Sequence, residues 1–221
     1  MKDQADSRLI YMTAKKGLIE GGCTQESIDR AILAQSFLRF EQPLTTTSTL
    51  FNFPVLTNAS NNGQAQRATE KRLKLQDALF CSELAVFITK ASSSSATNLL
   101  LNTFPNPVTY PTGSAALQSF YNGQLRVTVN NDVLIPGMDL QRFQIVPETQ
   151  LTGATNSPVD EFYGDGELSA FTVIQPNLTF IGQKDTQVVI ELPGNISALD
   201  ANVYAVIIAR GILAQNVTVV S

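Results

Sequence analysis

Histidine and tryptophan are both missing from the 221 residues, and only 15% of the residues are charged. Histidine is the usual general acid–base and the commonest metal ligand, so its absence excludes histidine triads, Cys–His dyads, zincin sites and most catalytic zinc sites. Without tryptophan the chain lacks the aromatic platforms on which a glycosidase cleft normally lays its sugar. Cysteine is nearly absent too. Cys23 and Cys81 build neither a disulfide framework nor a zinc site; two free thiols are expected, with a single disulfide as the alternative. No apolar run approaches the roughly 18 residues of a membrane span. The opening residues, Met1-Lys2-Asp3-Gln4-Ala5-Asp6, lack the basic-then-apolar pattern of a signal peptide, so synthesis in the cytosol is expected.

Hydrophobic residues make up 43% of the chain, enough for one sizeable core and too many for wholesale disorder. The polar remainder is rich in Thr, Ser, Asn and Gln, which suit strands and turns better than catalysis. The net charge of −4 is unevenly spread. Residues 1–76 hold ten Lys or Arg against seven Asp or Glu, and residues 77–221 hold five against twelve. That balance argues against a strongly basic nucleic-acid binder and leaves room for a small basic face near the N-terminus. The four sequons at Asn58, Asn177, Asn195 and Asn216 read as by-products of Asn- and Thr-rich strand ends.

The first forty residues read as helical. One helix is expected over about 6–19, stopped by Gly21-Gly22. Thr24 then caps a second helix, with Glu26 and Asp29 near its positive end. Ile28, Ala31, Ile32, Leu33, Phe37, Leu38 and Phe40 are too dense for a free surface helix, so this part either packs on its own β-domain or docks on a neighbouring subunit. The expected division is a helical arm over 1–43 and a β-sandwich domain over 44–221. Strands are expected at 50–56, 79–90, 99–104, 124–130, 133–135, 143–146, 168–175, 178–181, 186–192, 203–210 and 213–220, with a short helix at 114–121. Asn130-Asn131-Asp132 suits a hairpin turn. Residues 203–209 are apolar on both faces, which predicts a central or covered strand. Many short strands without crossover helices imply a mainly β, antiparallel sandwich or barrel. The long polar stretches 57–72 and 147–166 are expected to be interaction loops, or to order on assembly.

Two clusters carry candidate chemistry. Asp160, Asp165 and Glu167 lie among glycines, and such carboxylates can gather oxygen ligands for calcium, but their spacing is not that of an EF-hand. A solvated loop is the expectation there. Arg67, Lys71, Arg72 and Lys74, with Lys15 and Lys16, offer cations to phosphates, against the plainer reading of a solvated edge. No phosphate-binding glycine loop, nucleophile elbow or paired CxxC occurs. No catalytic, cofactor or metal residue is assigned, no cofactor is expected, and the chain is read as a non-enzyme.

The segments Phe171-Thr-Val-Ile-Gln-Pro-Asn-Leu-Thr-Phe-Ile-Gly182 and Thr186-Gln-Val-Val-Ile-Glu-Leu-Pro193, with a short helical arm and thinly charged strands, resemble the jelly-roll virion structural proteins of icosahedral viruses and phages. The resemblance covers 44–221 in texture rather than in motif. It implies an antiparallel β-sandwich of jelly-roll type and a capsid or head-surface subunit made in the host cytoplasm and located in the virion. Its partners would be copies of itself and other virion proteins. Neither a membrane nor a small-molecule substrate is implied, and nucleic-acid contact is left open. Low charge fits this reading physically, because burying extended faces between subunits is not then opposed by desolvation of ions. The alternative is a β-sandwich module that binds carbohydrate or a protein partner through its loops.

Overall fold

The structure, a computed structural model, describes residues 2–57, 66–93, 100–146 and 170–219, with side chains from residue 8 onward. Helix α1 (Lys2–Glu20) ends where Gly22 adopts φ +109°, a conformation that favours glycine. Helix α2 (Gln25–Arg30) starts as expected: Thr24 caps it by accepting the Ser27 N–H at 3.2 Å.

The next segment corrects the sequence reading. Residues 32–43 form strand β1 (Ile32–Pro43), not the continuation of a helix, and they pair along their whole length with the last strand, β8 (Val203–Gln215). Leu38 and Phe40 point into the core and Arg39 faces out. This period of two is satisfied by a sheet and would scatter charge into the packed face of a helix. The helical part of the chain therefore ends at Arg30, and the sandwich begins well before residue 44.

Six further strands follow: β2 (Leu50–Pro54), β3 (Ala78–Lys90), β4 (Gln124–Val129), β5 (Asp132–Asp139), β6 (Thr172–Ile181) and β7 (Thr186–Glu191). They make two four-stranded antiparallel sheets, ordered β1-β8-β3-β6 and β2-β7-β4-β5. The β4–β5 hairpin closes through Asn130 and Asn131, both at positive φ, as a tight hairpin requires. Residues 114–122 form helix α3 (Ser114–Leu117) and a 3-10 turn, close to the expected helix.

Four expectations about strands fail for identifiable reasons. The stretches 168–175 and 178–181 are expected as separate strands, but Thr172–Ile181 is the single strand β6, which tolerates Pro176 because it lies at a sheet edge. The stretch 203–210 and the first residues of 213–220 form one strand, because β8 runs through Gly211 and ends at Gln215. A β-carbon at Gly211 would lie 1.8 Å from the Phe80 carbonyl oxygen, so this glycine permits close backbone approach beside the bulge in β3 between Cys81 and Glu83. The stretch 143–146 is not a strand; Leu140–Phe143 is a 3-10 turn. Within 99–104 the described residues make only one bridge, Asn102 to Ile88.

The inner faces of the two sheets bury a common core that includes Phe40, Phe51, Phe53, Val86, Val127, Phe180, Ile190 and Ile207. Each such side chain contributes roughly 1.5–3 kcal/mol relative to exposure. The outer face of the β1-β8-β3-β6 sheet is covered twice. Ala14 and Leu18 of α1 pack on Phe80, Ile181 and Ile212, and Ala170 with Phe171 covers Phe87, Val206 and Ile208. This is why residues 203–209 are apolar on both faces: β8 is central and sandwiched on both sides. At the α1 contact, Gly17 lets the Phe80 ring reach the helix backbone, since a β-carbon there would meet the ring at 2.2 Å. No helix is long and apolar enough to cross a membrane among the described residues.

Candidate interaction surface

Two cations of the basic run, Arg67 and Arg72, turn inward to buried carboxylates, while Lys71 and Lys74 are exposed. Glu41 on β1 and Glu70 in the following loop are nearly inaccessible, with side-chain exposures of 0% and 1%. Arg39 Nε donates to Glu41 Oε1 at 2.8 Å, and Arg67 Nε lies 2.9 Å from Glu41 Oε2, aligned as an ion pair rather than a hydrogen bond. The Glu70 carboxylate accepts from the backbone N–H groups of Glu41 (3.1 Å) and Arg67 (2.7 Å) and from the Arg72 guanidinium at 2.8 Å. The Arg67 guanidinium also stacks over the Tyr204 ring at 4.2 Å. Lys71 donates to Ser36 Oγ at 2.8 Å and lies over Phe37, while its backbone exchanges two hydrogen bonds with Arg39. Three members of the run, Arg67, Lys71 and Arg72, have partners within the fold, and Lys71 and Lys74 remain exposed, so a solvated edge describes part of the run. Its work is structural: it fastens 66–73 across one half of the open side of β1. Lys15 and Lys16 likewise pair with Asp29 and Glu20.

Asp160, Asp165 and Glu167, the candidate calcium loop, lie outside the described residues. Among the described residues no group of three or more Cys, Asp or Glu side chains is placed to hold a metal ion. Both cysteines are free and buried, Cys23 beneath α1 and Cys81 between the sheets. Burial pushes the Cys81 thiol up to about 12 and raises that of Cys23, with Lys184 opposing the latter rise. Such thiols are poor nucleophiles at neutral pH. A second, partly buried pair ties the end of β3 to the loop before β8: Lys90 Nζ meets Asp200 Oδ1 at 2.9 Å, and Gly113 N–H donates to Asp200 Oδ2 at 2.9 Å. Burial pushes the Asp200 carboxyl upward, but the bonds from Lys90 and from Gly113 and Thr112 outweigh it and hold the carboxyl below its usual value.

The surface also carries a groove of about 580 Å³ between α1, β6 and the β4–β5 hairpin, lined by Lys16, Phe80, Asn130, Leu134, Asn177 and Lys184. Its polar groups are used in holding the helix: Lys184 Nζ donates to the Gly21 carbonyl at 2.7 Å, and Thr179 Oγ1 to the Gly17 carbonyl at 3.2 Å. Apolar side chains are exposed elsewhere. Leu9 and Met12, three residues apart, sit on the solvent side of α1, and Ile32 and Phe37 are exposed on β1 by 66% and 42%. Ile10, Gln35 and Phe37 border one shallow groove between α1 and β1.

The exposed half of β1 is the feature that sequence reasoning missed, because 32–40 was read as helix. The available signal was the strict alternation Leu38-Arg39-Phe40-Glu41. No family model matches the chain, and no curated protein matches it in sequence.

Proposed function

We propose that this chain is a structural subunit of an icosahedral virion, a shell or head-surface protein that acts by self-assembly and without catalysis. The observation that carries the reading is the strand order. Eight antiparallel strands cross repeatedly between two sheets ordered β1-β8-β3-β6 and β2-β7-β4-β5. That order is the one expected of a jelly roll, an eight-stranded pair of Greek keys used by viral capsid proteins and lectins. The exposed apolar residues of α1 and β1 support an assembling role, since a free monomer carries such clusters at the risk of aggregation. In this reading the C-terminal half of α1 packs on its own sheet, and its exposed Leu9 and Met12 meet a neighbour.

The second reading is a binding module for carbohydrate or protein, because lectins share the architecture and the groove beside α1 offers a mixed polar and apolar lining. Light scattering on the purified chain, followed by negative-stain imaging, separates the two. Capsomers, rings or closed particles are expected. A monomer at every concentration overturns the shell reading and leaves the binding module.

A further inference from the structure

A sandwich of two open sheets has four edge strands, and three of these four edges are blunted. Strand β2 is five residues long and carries Pro54. Strand β5 carries Pro136 and two register irregularities against β4. Strand β6 carries Pro176, and its far end is covered where Thr179 meets the Gly17 carbonyl of α1 and Gly182 packs on the backbone of Lys74 and Leu75. Prolines, bulges and covering elements are the devices by which proteins keep edges from pairing.

Strand β1 differs along its length. It pairs with β8 in one unbroken register, so alternate residues turn their backbone N–H and C=O away from β8. Arg39 is one of these, because its outward groups bond Lys71, and Glu41 is another, because its N–H meets Glu70. The same alternation directs the backbone groups of Leu33, Gln35 and Phe37 outward, and among the described residues no covering strand bonds them. The sequence there, Ile32-Leu33-Ala34-Gln35-Ser36-Phe37, has no proline, no charge and no bulge.

We propose that this half of β1 is a self-pairing edge: two copies of the chain join β1 to β1 antiparallel, about a two-fold axis at Gln35, into a continuous eight-stranded sheet. The inference rests on the self-assembly reading and names the surface that assembly would use. The occupant follows from complementarity. An antiparallel edge is its own partner under a two-fold, and the blunted β2, β5 and β6 cannot offer an equal stretch. Centred on Gln35, the register sets Gln35 against itself and Leu33 against Phe37 of the second copy. Every outward N–H and C=O of these three residues then finds a partner in both copies. The same register puts Ile32 of one copy opposite Leu38 of the other and stops one position short of Lys71, which already occupies the place beside Arg39. Phe37, brought against the second copy's Leu33, lies beside Ile10 in the groove described above. Aromatic–aliphatic pairs of this kind are the unit of sheet stabilisation.

The register has a chemical test. Residues 34 and 36 of opposing copies face each other in a non-hydrogen-bonded pair, where α-carbons stand about 4.5 Å apart and a disulfide can close. An Ala34→Cys chain mixed with a Ser36→Cys chain under mild oxidation is expected to give a cross-linked dimer, and either variant alone is expected to give none; the native thiols are buried. Gln35→Pro removes an outward N–H and leaves the β8 ladder intact, so it is expected to abolish the dimer in light scattering with an unchanged circular dichroism spectrum. Gln35→Lys, which sets like charges face to face, is expected to do the same should the proline variant not fold. If the mixture fails to cross-link at concentrations where the native chain self-associates, the β1 pairing is wrong and the shell reading survives on another face. A cross-linked pair with no larger bodies upholds the pairing and removes the shell reading. A strict monomer removes both.

Discussion

Replacing Glu70 by glutamine tests whether the covering segment is held by charge or merely by packing. The carboxylate takes bonds from two backbone N–H groups, Glu41 and Arg67, and from the Arg72 guanidinium on both of its oxygens. Arg72 has a side-chain exposure of 3%, so water cannot replace what Glu70 supplies. In Glu70→Gln one oxygen becomes an amide N–H₂, which faces donors on either side, and the buried guanidinium loses the charge of the carboxylate it bonds on both oxygens. Breaking a buried pair on one side costs about 3–5 kcal/mol. With a urea m-value of roughly 2–3 kcal/mol/M, the unfolding midpoint is expected to fall by about 1.5 M at unchanged m. The second arm of the test is Glu70→Gln combined with Arg72→Met, which removes both charges and keeps an apolar stem in the same volume. Replacing a buried pair by apolar groups is often close to neutral, so the double variant is expected to regain most of the loss. A fall of less than about 1 kcal/mol for Glu70→Gln refutes the reasoning, and so does a double variant no more stable than the single one.

Other consequences follow from the same packing. The Asp200 carboxyl is held low in the folded chain, so its contribution is present above the ordinary aspartate value of about 3.9 and disappears as pH falls through the folded value. Asp200→Asn is expected to cost about 2 kcal/mol at neutral pH, with the difference from wild type shrinking towards low pH in acid-dependent urea titrations; a constant difference would show that the charge is irrelevant. Cys81 is expected to react with a disulfide reagent only as fast as the protein unfolds, and fast labelling under native conditions would mean the sheets open locally. Gly211→Ala drives a methyl into the Phe80 carbonyl and is expected to cost about 3 kcal/mol or more in thermal melts, whereas the same change at Gly194, whose β-carbon would meet nothing, is expected to be almost silent. If both glycines tolerate alanine equally, the close approach of β3 and β8 is not what fixes Gly211.

The parts of the fold that were legible in the sequence are those decided locally. Thr24 caps α2 through a bond to a residue three positions on, and Asn130-Asn131 turns a hairpin by its own backbone preference. What failed was decided by partners far along the chain. Residues 32–40 have no strong helix or strand preference of their own; pairing with 207–215 and the insertion of Leu38 and Phe40 into the core settle the matter. Gly211 looks like a strand end until the bulge in β3 supplies the reason for a glycine. The cations at 67 and 72 look solvated until Glu41 and Glu70 are brought beside them. Strand order itself was out of reach, because alternation tells which face a residue occupies and not which strand lies next door.

Strand β1 joins these lines of argument. Its second half carries a costly device, two buried carboxylates and three arginines, whose geometric effect is to lay 66–73 along the open edge. Its first half carries no proline, bulge or buried ion pair, and the one charge laid on it is the exposed Lys71 ammonium at Ser36 and Phe37, although this half is the more apolar and the more exposed. If sealing edges against self-association were the only demand, the unsealed half is where a lysine or a proline would have been cheapest to place, since neither would disturb the β8 ladder at an outward position. A buried ionic cluster adds little net stability over apolar packing, but it is selective about register, because each charge tolerates few alternative neighbours. Placed at Arg39 and Glu41, it fixes the point at which the covering segment begins and so sets the length of edge left open. The closed and open halves of β1 are then two parts of one arrangement, and the stability test at Glu70 and the cross-linking test at Ala34 and Ser36 probe its opposite ends.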